Sequence, residues 1–412
     1  MEPDYVPDNS LSIEYTLRPI SYTCWLMGIG VARPQKCAKA VTIIIRIFHL
    51  VVCSVIIVYN VIDLRKYFNN AHVYYHVFIL IELTNFVIRY VSAYYTLYHG
   101  IRQYDMWPKL MDKIKDLDRK IRRETRINDE PIQKAEVAAI LVTFVCCSLL
   151  LIINIIYSLI TYSKILYVID LTCYYIIARS LISSFVFDVV VYVLYYRFRT
   201  INKLICQLDM SFSAQWIAFK IRRIRELHTD VCELVSMVND IYGLHLLICV
   251  TRCFITIIAI LFKIYITVKE YHASCYFILL NTVYLILYTT QFGLMCWICT
   301  LARQESEKIG IIICEIALKC KPVSYDIQHE TRVQLDLGTQ LQRLINNQNL
   351  LFRNLDQDCI RREVKDFSIQ LQHRRVAFTA YNFFEISNAL FCGCIGVVIT
   401  YLVISIQFAQ SS

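Results

Sequence analysis

"VAAILVTFVCCSLLLIINIIYSLI", residues 137–160, runs its whole length without one charged side chain. Wound as a helix at 1.5 Å per residue it reaches about 36 Å, more than the roughly 30 Å hydrocarbon core of a bilayer. The run is continuously apolar rather than alternating, which sets aside a strand of a membrane barrel. Windows of the same kind recur at 41–62, 73–98, 165–195, 241–265, 275–301 and 386–409, so the sequence predicts an all-α membrane protein of seven transmembrane helices. The window at 165–195 is long enough to tilt or to continue beyond the membrane. Composition agrees: the 412 residues are 57% hydrophobic, with 9 Gly and 7 Pro, and the mean hydropathy is +0.48.

Orientation follows from Lys and Arg, because positively charged loops stay in the cytoplasm. The loop after the second window carries Arg102, Lys109, Lys113, Lys115, Arg119, Lys120, Arg122, Arg123, Arg126 and Lys134. The loop after the fourth carries Arg197, Arg199, Lys203, Lys220, Arg222, Arg223 and Arg225, and the segment before the last window adds a set from Arg303 to Arg375. The opposite loops hold Arg65 with Lys66, Lys164, and Lys269. The expected threading has a cytoplasmic amino terminus and an extracellular carboxyl terminus, the reverse of a G-protein-coupled receptor. The opening "MEPDYVPDNS" (1–10) has no basic start followed by an apolar core, so no cleavable signal peptide is expected.

The net charge of +9 therefore belongs to cytoplasmic loops and is not a nucleic-acid footprint. A stretch such as "FKIRRIREL" (219–227) either touches anionic lipid headgroups or forms a solvated helix face. The sequence holds no Gly-rich phosphate loop, zinc-protease helix or nucleophile elbow, so nothing points to an enzyme or a cofactor. Cys146 with Cys147, Cys296 with Cys299 and Cys392 with Cys394 read as small packing residues rather than metal ligands.

Residues 302–385 are too many for a bare connection. Within them "DCIRREVKDFSIQLQHRRVAFTAYNFF" (358–384) places Ile360, Val364, Phe367, Leu371 and Phe378 on steps of three, four or seven, a helix stripe. Such a helix either covers its own subunit or packs against copies of itself, and spacing alone does not decide. In the last window, "ITYLVISIQF" (399–408), Thr400, Ile404, Gln407 and Ser411 share one narrow sector, and Tyr401, Ser405, Phe408 and Ser412 share the adjoining one. Polar groups at membrane depth face a helix bundle or a water-filled cavity. Either interhelical hydrogen bonding or a pore accommodates them.

Thr400-Tyr401, five mainly aliphatic residues, then Gln407-Phe408 resembles the terminal signature of insect gustatory receptors, and "FSIQLQHRRVAFTAYNFFEISNALF" (367–391) is similar to the segment that precedes it in that family. The close likeness covers roughly the last fifty residues. Ser405 departs from the aliphatic run, and Leu402 stands where sugar-receptor members often carry an acid. The resemblance implies a ligand-gated, non-selective cation channel in the plasma membrane of chemosensory neuron dendrites. It implies a homotetramer, or a heteromer with other gustatory receptors, whose last spans ring a pore. Gln407 and Phe408 would then form the constriction with Ile404 one turn below, and Thr400 and Tyr401 would brace the pore helix. The implied organisation is a cytoplasmic amino-terminal segment (1–40), a six-span ligand-binding bundle with its cytoplasmic loops (41–301), cytoplasmic anchor helices (302–385), and a pore-lining span with an extracellular tail (386–412).

In that family the ligand lies within each subunit, in the outer half of the bundle. Threading brings Tyr74, Tyr75, His76, Asn154, Tyr157, Tyr167, Asp170, Tyr174, Asn281, Tyr284 and Tyr288 to that depth. Tyrosines suit a small, partly polar tastant, and equally they anchor helices at headgroup level. Asp170 either accepts hydrogen bonds from a ligand or sits idle at the interface. Glu82, Arg89, Arg179, Asp188 and Arg252 are expected to be interhelical partners, Arg46 to snorkel, and His49 and His245 to be packed. A bitter plant compound is favoured over a sugar, since the outer halves of the fourth and sixth windows offer Tyr but no Trp. The alternatives are a fructose-type channel and an odorant-receptor-like subunit that needs a channel partner. A G-protein-coupled receptor conflicts with the threading. A proton-coupled transporter using Asp170, Glu82 or Asp188 conflicts with the odd span number, the lack of a repeat and the scarcity of Gly and Pro.

Overall fold

The structure, a computed structural model, describes residues 13–34, 37–70, 76–161, 167–208, 212–270, 275–319 and 358–411. Two short helices, α1 (Ile13–Thr16) and α2 (Arg18–Leu26), precede the long α3 (Lys39–Asn70) and α4 (His76–Arg102). An amphipathic α5 (Met106–Arg122) leads to α6 (Glu130–Thr161), α7 (Tyr167–Cys206), α8 (Ala214–Glu270) and α9 (Cys275–Lys319). A helix over 358–373 (α10), a two-stranded hairpin and α11 (Asn388–Ser411) complete the described chain.

The described residues of each predicted window fall in one of the long helices, apart from residues 386 and 387 just before α11. Among the described residues, five are long and apolar enough to cross a membrane: the stretches Lys39–Tyr59, Glu130–Ile156, Tyr174–Cys206, Ala214–Val268 and Tyr276–Leu318. A shorter apolar stretch covers Asn388–Ile404 in α11, and α4 carries Glu82 and Arg89. This is a multi-pass membrane protein. The 57 residues of α8 span about 85 Å at 1.5 Å per residue, so α8 extends far beyond any bilayer. With the ends of α7 and α9 it forms a shaft on which the polar elements pack.

That shaft is where buried charge concentrates. Along α5, Trp107, Leu110, Met111, Ile114, Leu117 and Ile121 recur every three or four residues and are buried. Arg197 of α7 is fully buried, its Nε 2.7 Å from Asp118 Oδ1 and its Nη2 2.8 Å from Asp129 Oδ1, which joins α7 to α5 and to the approach to α6. Lys120 pairs with Asp230 at 2.9 Å and Arg225 with Glu363 at 3.2 Å, fastening α5 and α10 to α8. Burial raises the Asp118 carboxyl above the usual range even with Arg197 beside it. Asn202 of α7 donates to the Glu305 carbonyl of α9 at 2.6 Å, and Glu136 of α6 accepts the Ile20 N–H of the first turn of α2 at 2.7 Å.

Three expectations need correction. Phe378 does not continue the helix stripe, because α10 stops at residue 373 and the chain runs extended from 374. Val376, Phe378 and Ala380 are buried on alternate positions, a period of two rather than 3.6. Thr379–Ala380 pairs antiparallel with Phe384–Glu385, and the reversal places Tyr381 and Asn382 at φ 51° and 61°. Arg46 does not snorkel: it is buried and gives its Nη2 to the Gly30 carbonyl at 2.7 Å, packed so tightly over Gly100 that a side chain there would overlap the guanidinium. Nor do the charges expected to pair across helices do so as a set. Both oxygens of Asp188 are buried without a hydrogen-bond partner, and Arg179 bonds Cys53 Sγ and the Gly28 carbonyl rather than an acid. His49 and His245 are packed, His49 on Tyr175 and His245 3.1 Å from Ser183 Oγ.

Candidate functional site

Two features form the site: a polar cluster at the end of the bundle away from α5 and α10, and the exposed length of α11.

At that far end α6, α7 and α9 converge. Tyr276 donates its hydroxyl to Asn154 Oδ1 at 2.9 Å, bridging α9 to α6. Tyr174 of α7 is buried and stacks on Tyr284 of α9, ring centroids 6.4 Å apart. Asn281, also buried, gives its Nδ2 back to the Phe277 carbonyl at 2.8 Å, and Tyr288 lies beneath the Arg252 guanidinium at 5.4 Å. Of the predicted residues the structure thus brings Tyr174 against Tyr284, while Asn154 meets Tyr276, Asn281 bonds within its own helix and Tyr288 meets Arg252. Tyr75 lies outside the described residues, as do the side chains of His76, Tyr157, Tyr167 and Asp170. Tyr276 was not foreseen. Its signal was the spacing of Tyr276, Tyr284 and Tyr288 along one helix.

α11 packs on its own chain by one stripe. Phe391 meets Phe292 edge to face at 5.5 Å, and Cys394 and Val398 follow on steps of three and four. At 100° per residue that stripe points about opposite to Thr400, Ile404 and Gln407. All three are exposed, as are Tyr401 and Val403, and at Gly393 and Gly396 an added side chain would meet nothing within 4 Å. Thr400 Oγ1 donates to the Gly396 carbonyl at 3.0 Å, so its hydroxyl is satisfied within the helix. The Phe408 side chain lies outside the described residues. Between the inner stripe and α8 and α9 is an apolar cavity of about 200 Å³, lined by Phe254, Leu261, Leu285, Phe292, Cys394 and Val398.

The start of α11 is tied down through the hairpin. Asn239 of α8 donates its Nδ2 to the Ala377 carbonyl at 2.8 Å and accepts the Thr379 N–H at 3.1 Å, which copies the pairing of a strand edge. Glu385 meets Arg303 of α9 at 2.6 Å, and the Asn388 N–H donates to Thr300 Oγ1 at 3.0 Å. No motif announced this clamp. The alternation of Val376, Phe378 and Ala380 was its legible trace.

A sequence model of the 7tm chemosensory receptor family matches residues 17–329 and 331–412. The chain belongs to that family. Among chemosensory receptors, gustatory receptor 23a of Drosophila melanogaster is 23% identical over 191 residues, which cover 46% of this chain and 42% of that relative. The chain thus aligns with less than half of that relative's length. In fold, the receptor is similar to the insect olfactory receptor OR5 from Machilis hrabei, with a TM-score of 0.55 at 11% identity over 96% of this chain and 98% of the other. The same olfactory receptor in complex with eugenol gives a TM-score of 0.57 at 12% identity, covering 95% and 97%. The family read from the terminal signature is therefore the family found.

Proposed function

We propose that this chemosensory receptor is a gustatory-type, ligand-gated, non-selective cation channel. In this reading it has seven spans, a cytoplasmic amino terminus and an extracellular carboxyl terminus, and it resides in the plasma membrane of a chemosensory neuron dendrite. The observation that carries the reading is the sidedness of α11: an apolar helix packs on its own subunit by Phe391, Cys394 and Val398 and turns Thr400, Ile404 and Gln407 away. A polar sector directed away from the bundle at membrane depth needs water or like neighbours. Four copies around an axis supply both. Ile404 and Phe408 then close the pore by excluding water, with Gln407 at the constriction, and a small rotation opens it. Tyr401 is exposed on its own subunit, so its bracing and that of Thr400 fall at the boundary with a neighbouring copy.

The tastant enters the cluster at Asn154, Tyr174, Asn281, Tyr284 and Tyr288, with Tyr75, Tyr167 and Asp170 as further candidates. Stacked phenols and amide groups suit a small, partly polar aromatic molecule, which favours a bitter plant compound over a sugar. The eugenol complex of the structurally similar olfactory receptor supports a small organic ligand. The test is expression of the chain alone in oocytes with a panel of bitter compounds and sugars. A tastant-evoked cation current whose ion selectivity changes in Gln407→Glu is expected. Permeation unaltered by substitutions at Gln407 and Phe408 contradicts the pore assignment, and a current that appears only with a co-receptor contradicts the homotetramer.

A further inference from the structure

Between α4, α7 and α8 lies a cavity of about 20 Å³. Arg89, Arg179 and Arg252 line it with Ser180, Ser183 and His245, and no carboxylate does. Arg179 and Arg252 are 5% and 2% exposed. The Nε of Arg179, and the Nε and Nη2 of Arg252, are buried without a hydrogen-bond partner. Neither guanidinium is ion-paired among the described residues. Asp188, the buried acid on the same helix as Arg179, forms no hydrogen bond with either of them.

Two buried guanidiniums at membrane depth are costly unless their charge is compensated and their donors are met. A water molecule meets donors but carries no charge. The cavity exceeds the roughly 10–15 Å³ that one water requires, a size that suits a small monatomic ion. Two buried arginines from different helices line it, Arg179 of α7 and Arg252 of α8, together with Ser180 and Ser183. We propose that this cavity binds a monovalent halide, chloride in the cell, and that the ion staples α4, α7 and α8 together. The site adjoins the tastant cluster through Arg252, which lies over Tyr288, and it is separate from the pore; its readout needs neither tastant nor current, so it stands or falls apart from the channel reading.

The test is thermal unfolding of the purified full-length receptor in sodium chloride and in sodium gluconate at equal ionic strength. Gluconate is too large to enter. The expected result is a saturable rise in melting temperature with chloride, on the order of 3 °C, reproduced by bromide. Arg252→Gln should abolish that dependence. Should Arg252→Gln fail to fold, Arg179→Lys keeps the charge, loses the planar donor array, and should shift the chloride titration to higher concentration. Equal melting temperatures in the two salts for the unsubstituted receptor mean a cavity that holds only water, and overturn the proposal. A chloride effect of the same size and midpoint in the variants overturns it as well, because the ion then acts elsewhere.

Discussion

α7 and α11 are both long apolar helices, yet the chain encloses one and leaves the other bare. In α7, 89% of the most apolar window is buried inside the subunit. Its lower turns carry Arg197, which is fully buried between two carboxylates. In α11 the packed stripe is a single row, and Ile399, Tyr401, Val403 and Ile404 stand exposed. Apolar content alone cannot separate these roles, because lipid and protein both accept aliphatic side chains. Polar placement separates them: α7 buries Arg179, Asp188 and Arg197 inside the subunit, whereas α11 leaves Thr400, bonded only to its own helix backbone at Gly396, and Gln407 exposed.

The comparison predicts effects of very different size. Arg197→Ala strands Asp118 and Asp129 in a buried site and should destabilise the receptor by about 3–5 kcal/mol, read as a loss of folded protein in detergent. If its stability were retained, the shaft would not depend on that triad. Asn239→Ala leaves the Ala377 carbonyl and the Thr379 N–H without their side-chain partner, at a cost of about 1–3 kcal/mol. Because those groups hold the hairpin that begins α11, evoked current should fall while surface expression persists; unaltered gating would remove the clamp from the mechanism. Within α11 itself, Val398→Ala on the packed stripe should cost on the order of 1 kcal/mol in subunit stability. Val403→Ala on the bare side should stay within about 0.5 kcal/mol of the unsubstituted chain. Equal costs at the two sites would mean that α11 is not one-sided.

The smallest effect concerns pH. Burial holds Asp118 above the ordinary carboxyl range, so the folded receptor keeps that proton at a pH where the unfolded chain has released it. The contribution is full below the ordinary carboxyl value of 3.8 and is lost as pH rises through the raised value. Asp118→Asn cannot ionise and should flatten that part of the stability–pH curve. A slope identical to that of the unsubstituted receptor would assign the titration to another group.

The helical, multi-pass character was legible because lipid demands continuous apolar runs, and among the described residues five of the long helices are long and apolar enough to cross a membrane. The family was legible from Thr400-Tyr401 and Gln407-Phe408, residues whose presence lipid alone does not explain. Other features were hidden for identifiable reasons. The turn after residue 373 escaped because Phe378 falls on a helical step from Leu371, and one residue that fits two periods does not choose between them. The clamp by Asn239 joins residues about 140 positions apart, which no local pattern encodes. Arg46 and Arg179 were expected to meet water or acids, but they bond the carbonyls of Gly30 and Gly28 in the loop after α2, a partner set that only the folded chain brings together. Of the far-end cluster, residue types and depth were readable. The Tyr276–Asn154 bridge was not, since hydroxyl direction depends on helix rotation.

The claim on which the account rests is that copies of this chain cover the bare side of α11. Electron cryomicroscopy of the full receptor in lipid nanodiscs tests it most directly. The account predicts four subunits with Gln407 of each beside a shared axis; a single chain, or an assembly in which Gln407 faces lipid, would contradict it.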